Sequence, residues 1–314
     1  MDKKLEKIIS KNNKIMLAGH IKPDGDSIGA ALALSRYIQS KFKDKQVDIY
    51  MENMPPVYDF LIGNDRIITS IEDLDYDLFI ALDCGDQDRL GEALRVFQNA
   101  SSTVNIDHHI SNPKYAQINY VTNISSTCEY LCELLDMDCF NNNIAKALYT
   151  GIVFDTGGMK HSNTTKNTFN TLGQLIEYDF DFSMIMDQLF NQKTYLQNKL
   201  LGQSLLNAQT ALDHRVIYSI LTKDDFEKHE SNPGHTEGIV EQLRVTKDVL
   251  MAFFIYEHED NAYKISLRSK DKIDVCKIAQ HFNGGGHTKA SGCSYEGDIQ
   301  QAVDKIIALA QEQI

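Results

Sequence analysis

The sequence predicts an α/β fold in two domains. An N-terminal domain is built on a mostly parallel sheet flanked by helices, and a connecting helix leads to a smaller C-terminal α/β domain. Three observations predict this. Apolar runs of strand length alternate with segments of helical periodicity over the first 190 residues, and such alternation calls for right-handed crossovers and a parallel sheet. At 314 residues the chain exceeds the roughly 100–200 of a single domain. Hydrophobic residues at 42% and charged residues at 24% are an ordinary globular mix, which excludes collagen-like, low-complexity and disordered chains. The boundaries read as 1–190, a connecting helix over 191–214, and 215–314.

In chain order, Ile15 to Ala18 is a short apolar strand followed by a polar, glycine-containing turn. Ile28, Ala31, Leu32, Tyr37 and Ile38 then recur at close to i, i+3, i+4 spacing and predict a helix. Val47 to Tyr50, Leu78 to Leu82 and Thr103 to Ile106 are further strands, and 126–135 and 144–154 are helices. From Thr194 to Asp213 a stretch with no proline, carrying Leu196, Leu200, Leu205 and Leu212, reads as the connecting helix. Strands at 216–221, 249–256 and 263–267, with helices at 238–244, 273–282 and 298–313, complete the second domain.

The net charge of −13 repels long polyanions, because non-specific nucleic-acid binding rests on many Lys/Arg–phosphate contacts. Long duplex nucleic acid is therefore excluded as a partner, and any nucleic-acid substrate is expected to be short. The longest apolar run, Val249 to Tyr256, is eight residues, against the ~20 of a membrane-spanning helix. The charged N-terminus shows no secretory pattern, so the expectation is a soluble cytoplasmic protein without a membrane partner. The six cysteines contain no C-x-x-C; free thiols are expected, with Cys128 and Cys132 on a buried helix face.

Carboxylates and imidazoles gather in four places. His20-Ile21-Lys22-Pro23-Asp24-Gly25-Asp26 follows the first strand, Asp83 follows the strand ending at Leu82, and Asp107-His108-His109 follows Ile106. Asp155 ends the helix that runs to Phe154. Three of the four lie at strand carboxyl ends, where an open parallel sheet forms its ligand crevice. Alone, Asp26 before Ser27 would be read as a helix cap. Together, so many like charges at one rim need cations, and two divalent ions balance the carboxylates of Asp24, Asp26, Asp83 and Asp155. Mixed carboxylate and imidazole donors favour Mn²⁺, with Mg²⁺, Co²⁺ and Zn²⁺ as alternatives. His161, His214, His229, His235 and His258 lack such a frame.

These four segments resemble the motifs of the DHH phosphoesterase superfamily, and Gly284-Gly285-Gly286-His287 resembles the glycine-rich signature of the DHHA1 domain. The resemblance spans nearly the whole chain and points to the nanoRNase and pAp phosphatase type. It implies one metal held by His20, Asp24 and Asp83 and a second held by Asp26, Asp83, His108 and Asp155, with Asp83 bridging. His109 would support the metals or contact the substrate phosphate, and Asp107 would orient the pair. Met159, Lys160 and His161 stand where the family commonly shows an aromatic residue, an Arg and a Tyr. The resemblance further implies an active site in the cleft between a catalytic DHH domain and a substrate-binding DHHA1 domain, and a homodimer.

The three glycines let backbone amides approach an anion, and Arg268 offers a bidentate guanidinium. By the resemblance, Arg268 and His287 would grip the substrate's phosphate or terminal nucleotide, with Ser269 as a weaker candidate. The expected reaction is two-metal phosphoester hydrolysis, a water or hydroxide between ions roughly 3.5–4 Å apart attacking phosphorus. Short oligoribonucleotides, linear dinucleotides and pAp are the expected substrates. Alternatives are a cyclic-dinucleotide phosphodiesterase, a manganese-dependent inorganic pyrophosphatase and a catalytically silent nucleotide sensor.

Overall fold

The structure, a computed structural model, describes residues 1–314 except Asp73 and Asp271. It forms two compact units, Met1–Gln192 and Lys193–Ile314.

In the first unit, α1 (Lys3–Lys11) precedes β1 (Lys14–Ala18), α2 (Gly25–Lys41), β2 (Gln46–Tyr50), β3 (Ile67–Ile68) and β4 (Leu78–Leu82). Then come α3 (Leu94–Asn99), β5 (Ser102–Asp107), β6 (Ile118–Val121), α4 (Thr127–Leu134), α5 (Asn142–Asp155), α6 (Lys166–Leu175) and α7 (Phe182–Met186). The strands form a parallel sheet in the order β3-β2-β1-β4-β5-β6. β1 and β4 are apolar almost throughout because both faces of the sheet are covered. Ile15 and Leu17 of β1 face the core made with α2 and α5, while Met16 and Ala18 face the one made with Phe79, Val96 and Phe97.

The chain moves outward one way from β1 and the other way from β4. The neighbouring carboxyl ends of these two strands are therefore the topological switch point, where a crevice opens. Behind it, α2 and α5 pack closely: a Cβ on Gly29 would stand 2.5 Å from the Ala147 carbonyl oxygen.

The second unit begins with α8 (Tyr195–Leu206), β7 (Gln209–Ala211), β8 (Val216–Leu221), α9 (Lys223–Lys228), α10 (Ile239–Arg244) and β9 (Met251–Glu259). It closes with β10 (Ala262–Ser269), α11 (Val275–Gln280), β11 (Gly285–His287), β12 (Ala290–Glu296) and α12 (Ile299–Gln311). The sheet order is β11-β12-β10-β9-β8-β7, parallel between β8 and β9 and antiparallel elsewhere. α11 and α12 cover one face, and α8, α9 and α10 cover the β8–β9 half of the other.

One expectation is corrected here. The connecting helix ends at Leu206 rather than Asp213, because β7 follows and Leu212, Asp213 and His214 turn in the left-handed region before β8. Its Leu200 is buried against Ile217 and Leu243, so the helix belongs to the second unit's core. The glycine-rich segment forms, in part, the edge strand β11. A Cβ on Gly284 would lie 2.3 Å from the Gly292 carbonyl oxygen, so only glycine lets the chain approach β12 there. Among the described residues no helix is long and apolar enough to cross a membrane.

Candidate metal centre

Beyond β1, His20 is buried and its Nδ1 donates to the Ile21 carbonyl at 2.9 Å. That bond fixes the tautomer and turns Nε2 toward Asp24 Oδ2 at 3.5 Å and Asp83 Oδ2 at 3.7 Å. Asp24, not Asp26, is the N-cap of α2: its Oδ1 accepts the amides of Asp26 and Ser27, leaving Oδ2 for the cluster. Asp26 lies within the first turn of α2 and is fully buried, its two oxygens accepting the Thr127 and Cys128 amides at 2.7 and 2.9 Å.

Asp83, just past β4, takes a left-handed φ of 52°. A non-glycine residue held there costs about 1–2 kcal/mol, and such outliers gather at functional sites. Its two carboxylate oxygens face different neighbours. Oδ2 points at His20, while Oδ1 lies 3.4 Å from His108 Nε2 and 3.8 Å from His109 Nδ1.

His108 and His109 follow β5. His108 Nε2 also stands 3.3 Å from Oδ2 of Asp155, the last residue of α5. Asp107, fully buried at the end of β5, accepts from His109 Nδ1 at 2.8 Å and from the Asn112 amide. Asp107 is thus the orienter of His109, whose ring remains about one-third exposed.

Three groups of donors result, each with its atoms within 4.8 Å: His20–Asp24–Asp83, Asp83–His108–His109 and Asp26–His108–Asp155. The 3.3 to 3.7 Å separations are longer than charge-assisted hydrogen bonds of about 2.7–2.9 Å. They are close to the spacing of ligands that share a cation, since two donors at about 2.1 Å and 90–109° stand about 3.0–3.4 Å apart. The donor set therefore fits divalent cations.

Charge tells the same story. Burial opposes protonation of His20, yet the carboxylates of Asp24 and Asp83 outweigh it and raise its pKa to about 10. His108 is likewise buried and is raised to about 10 by Asp83, Asp26 and Asp155. Burial pushes Asp83 up, but His108 and His20 hold it at about 2. Asp26 is driven well above the usual carboxylate range by burial and by repulsion from Asp83 and Asp155. Burial also lifts Asp155, to about 6. A divalent cation bound here would displace the protons that these imidazoles and carboxylates otherwise share.

Met159 has a left-handed φ of 64° and packs on the first unit's core; His161 Nδ1 lies 3.2 Å from the Asp155 carbonyl, and Lys160 is exposed. Thr127 is not among the sequence-predicted site residues, yet its hydroxyl donates to Asp83 Oδ1 at 3.2 Å. The signal was present in Ser126 and Glu129, a capping-box spacing that opens a helix at which amides await an anion.

In the second unit, Arg268 and His287 both pair with Ala290 across β10, β12 and β11, which places their side chains in one row on one sheet face. Arg268 Nε donates to Glu241 at 2.9 Å and Nη1 to the Leu267 carbonyl. Gly285 and Gly286 are exposed beside His287, whereas Gly284 tucks against β12. Ser269 is buried and its hydroxyl donates to the Ile273 carbonyl at 2.6 Å, so its place is in the scaffold.

The model of the DHH family N-terminal domain matches residues 14–152, and that of the DHHA1 domain matches residues 213–314. The chain is 28% identical over 316 residues to a bifunctional oligoribonuclease and PAP phosphatase of Bacillus subtilis, covering 98% of this chain and 97% of that protein. It is 26% identical over 307 residues to the protein of the same name from Thermus thermophilus, covering 96% and 90%. Among solved structures, an exopolyphosphatase-related protein from Bacteroides fragilis superposes with a TM-score of 0.82 at 26% identity, covering 98% of this chain and 95% of that one.

Proposed function

The chain belongs to the DHH family, its DHH domain followed by a DHHA1 domain, and on that premise we propose that it is a metal-dependent phosphoesterase of short oligoribonucleotides, linear dinucleotides and pAp. The observation that carries the reading is Asp83, whose one carboxylate oxygen faces His20, grouped with Asp24, and whose other faces His108. A single residue facing two donor groups suits two cations with one shared ligand. His20, Asp24 and Asp83 would hold one; Asp26, Asp83, His108 and Asp155 would hold the other. The carboxylate and imidazole donors, with no thiolate among them, favour Mn²⁺ over Zn²⁺.

When bound, such cations supply water activation and charge neutralisation for attack at phosphorus. The protein's own groups do the rest. His109, oriented by Asp107, presents its outer face to a phosphate oxygen. Arg268 and His287 take the substrate's terminal phosphate or nucleotide, Arg268 exchanging its Glu241 contact for the bidentate one. The −13 net charge disfavours long polyanions and suits substrates of a few nucleotides.

The test is a turnover panel with Mn²⁺ comparing pAp, pApA, a five-residue RNA, a cyclic dinucleotide and pyrophosphate. Turnover of the first three is expected. Hydrolysis of pyrophosphate alone, or of none of them, overturns the reading.

A further inference from the structure

The first turn of α4 touches the two buried carboxylates among the proposed metal ligands, Asp26 and Asp83. The Thr127 amide donates to Asp26 Oδ2 at 2.7 Å and the Cys128 amide to Asp26 Oδ1 at 2.9 Å. The Thr127 hydroxyl, instead of bonding back along its own helix, donates to Asp83 Oδ1 at 3.2 Å, 44 residues away in sequence. Asp26, Thr127 and Asp83 are at most 2% exposed, so solvent does not compete for these bonds.

We propose that Thr127 is a positioning residue for metal binding, setting the orientation of Asp26 through its amide and of Asp83 through its hydroxyl. The inference rests on the reading of this cluster as a metal centre and goes beyond the ligand set. A carboxylate that must choose its rotamer as a cation arrives loses affinity to that ordering; one already held does not.

The surroundings make the turn a firm support. Ser126 caps it, its hydroxyl accepting the Glu129 amide at 2.9 Å. The fully buried Glu129 carboxylate accepts from the Ser125 and Thr168 hydroxyls and the Asn167 amide, tying α4 to α6. On the other side a Cβ at Gly151 would stand 2.3 Å from Cys128 Sγ and 2.8 Å from Asp26 Oδ1, so α5 leaves room for these groups and no more.

The experiment measures Mn²⁺ affinity by titration calorimetry for the full chain, for Thr127→Val and for Thr127→Ser, with melting of each protein in chelator as the fold control. Val keeps the shape and removes the hydroxyl; Ser keeps the hydroxyl and removes a methyl. A loss of about tenfold or more in Val, the usual scale for a residue supporting a metal ligand, with Ser within about threefold of the parent, is expected. Parental affinity in Val, or an equal loss in Ser, overturns the proposal. Should Val not fold, Thr127→Ala against Thr127→Ser isolates the same hydroxyl, and equal affinities in that pair overturn it. A parent chain that binds no Mn²⁺ instead overturns the metal centre itself.

Discussion

At the scale of single residues, Asp83 is where the most depends on one side chain. Its backbone is left-handed, and its two carboxylate oxygens face His20 on one side and His108 on the other. Asp83→Ala should lower kcat by about 10³-fold or more, as expected when a shared ligand worth several kcal/mol is lost, while the protein melts cooperatively in chelator. Retained turnover would contradict the shared-ligand role. Ser269→Ala should leave KM for pApA unchanged and cost about 1 kcal/mol of stability, because it strips a buried hydroxyl from the Ile273 carbonyl. Steady-state kinetics beside denaturant melts separate the two effects.

The residues of the cluster were legible because metal chemistry restricts the residue types, and four such segments in one chain are hard to assemble by chance. Roles were less legible. Asp26 has the look of a cap, yet Asp24 caps α2, since the capping side chain must stand one position before the helix to reach the amides of Asp26 and Ser27. Thr127 and Ser269 carry hydroxyls whose partners lie far off in sequence or in the backbone, and periodicity holds no information about either.

At the scale of elements, strands buried on both faces were readable and those at edges were not. β1 and β4 are largely apolar runs, and β5 is buried beyond its first residue; the edge strands β6 and β3 are half-buried and, for β3, two residues long, and β12, one strand in from an edge, places small residues where a core strand would have Val or Ile. The start of β1 is held by a bond outside the ladder: Asp77 accepts the Asn13 and Lys14 amides, each at 2.9 Å. These bonds, Lys14 first, lower its pKa in the folded protein. The unfolded group therefore binds a proton more readily, so the contribution is complete above the unfolded pKa of about 3.9 and is lost as pH falls through the folded value. Thermal melts of parent and Asp77→Ala should differ by a constant amount from pH 6 to 8 and converge below about pH 4. A gap that widens on acidification would refute the assignment.

At the scale of the whole molecule, the division into two units followed from length and alternation, but the ownership of α8 did not. A helix between domains looks the same in sequence whichever core takes its leucine, and Leu200 goes to the second. Charge does its work at this scale as well. With −13 overall, Arg268 is the cationic group expected to meet the substrate, with His287 beside it as a hydrogen-bonding partner. Binding of a five-residue RNA should therefore weaken only gently with salt. One or two phosphate contacts at about −0.7 each give a log–log slope near −1 between about 50 and 200 mM. A slope steeper than about −3 would indicate a multi-contact nucleic-acid surface and exclude the short-substrate reading.

The carboxylate of Asp24 ends a helix with one oxygen and faces His20 with the other. Position 24 is consequently determined twice over. Ser, Thr or Asn would cap α2 as well but bring no anionic donor, and Glu would keep the charge while overreaching the amides. Aspartate alone meets both demands, so stability screens and catalytic screens at this site should choose different substitutes and agree only on the native residue.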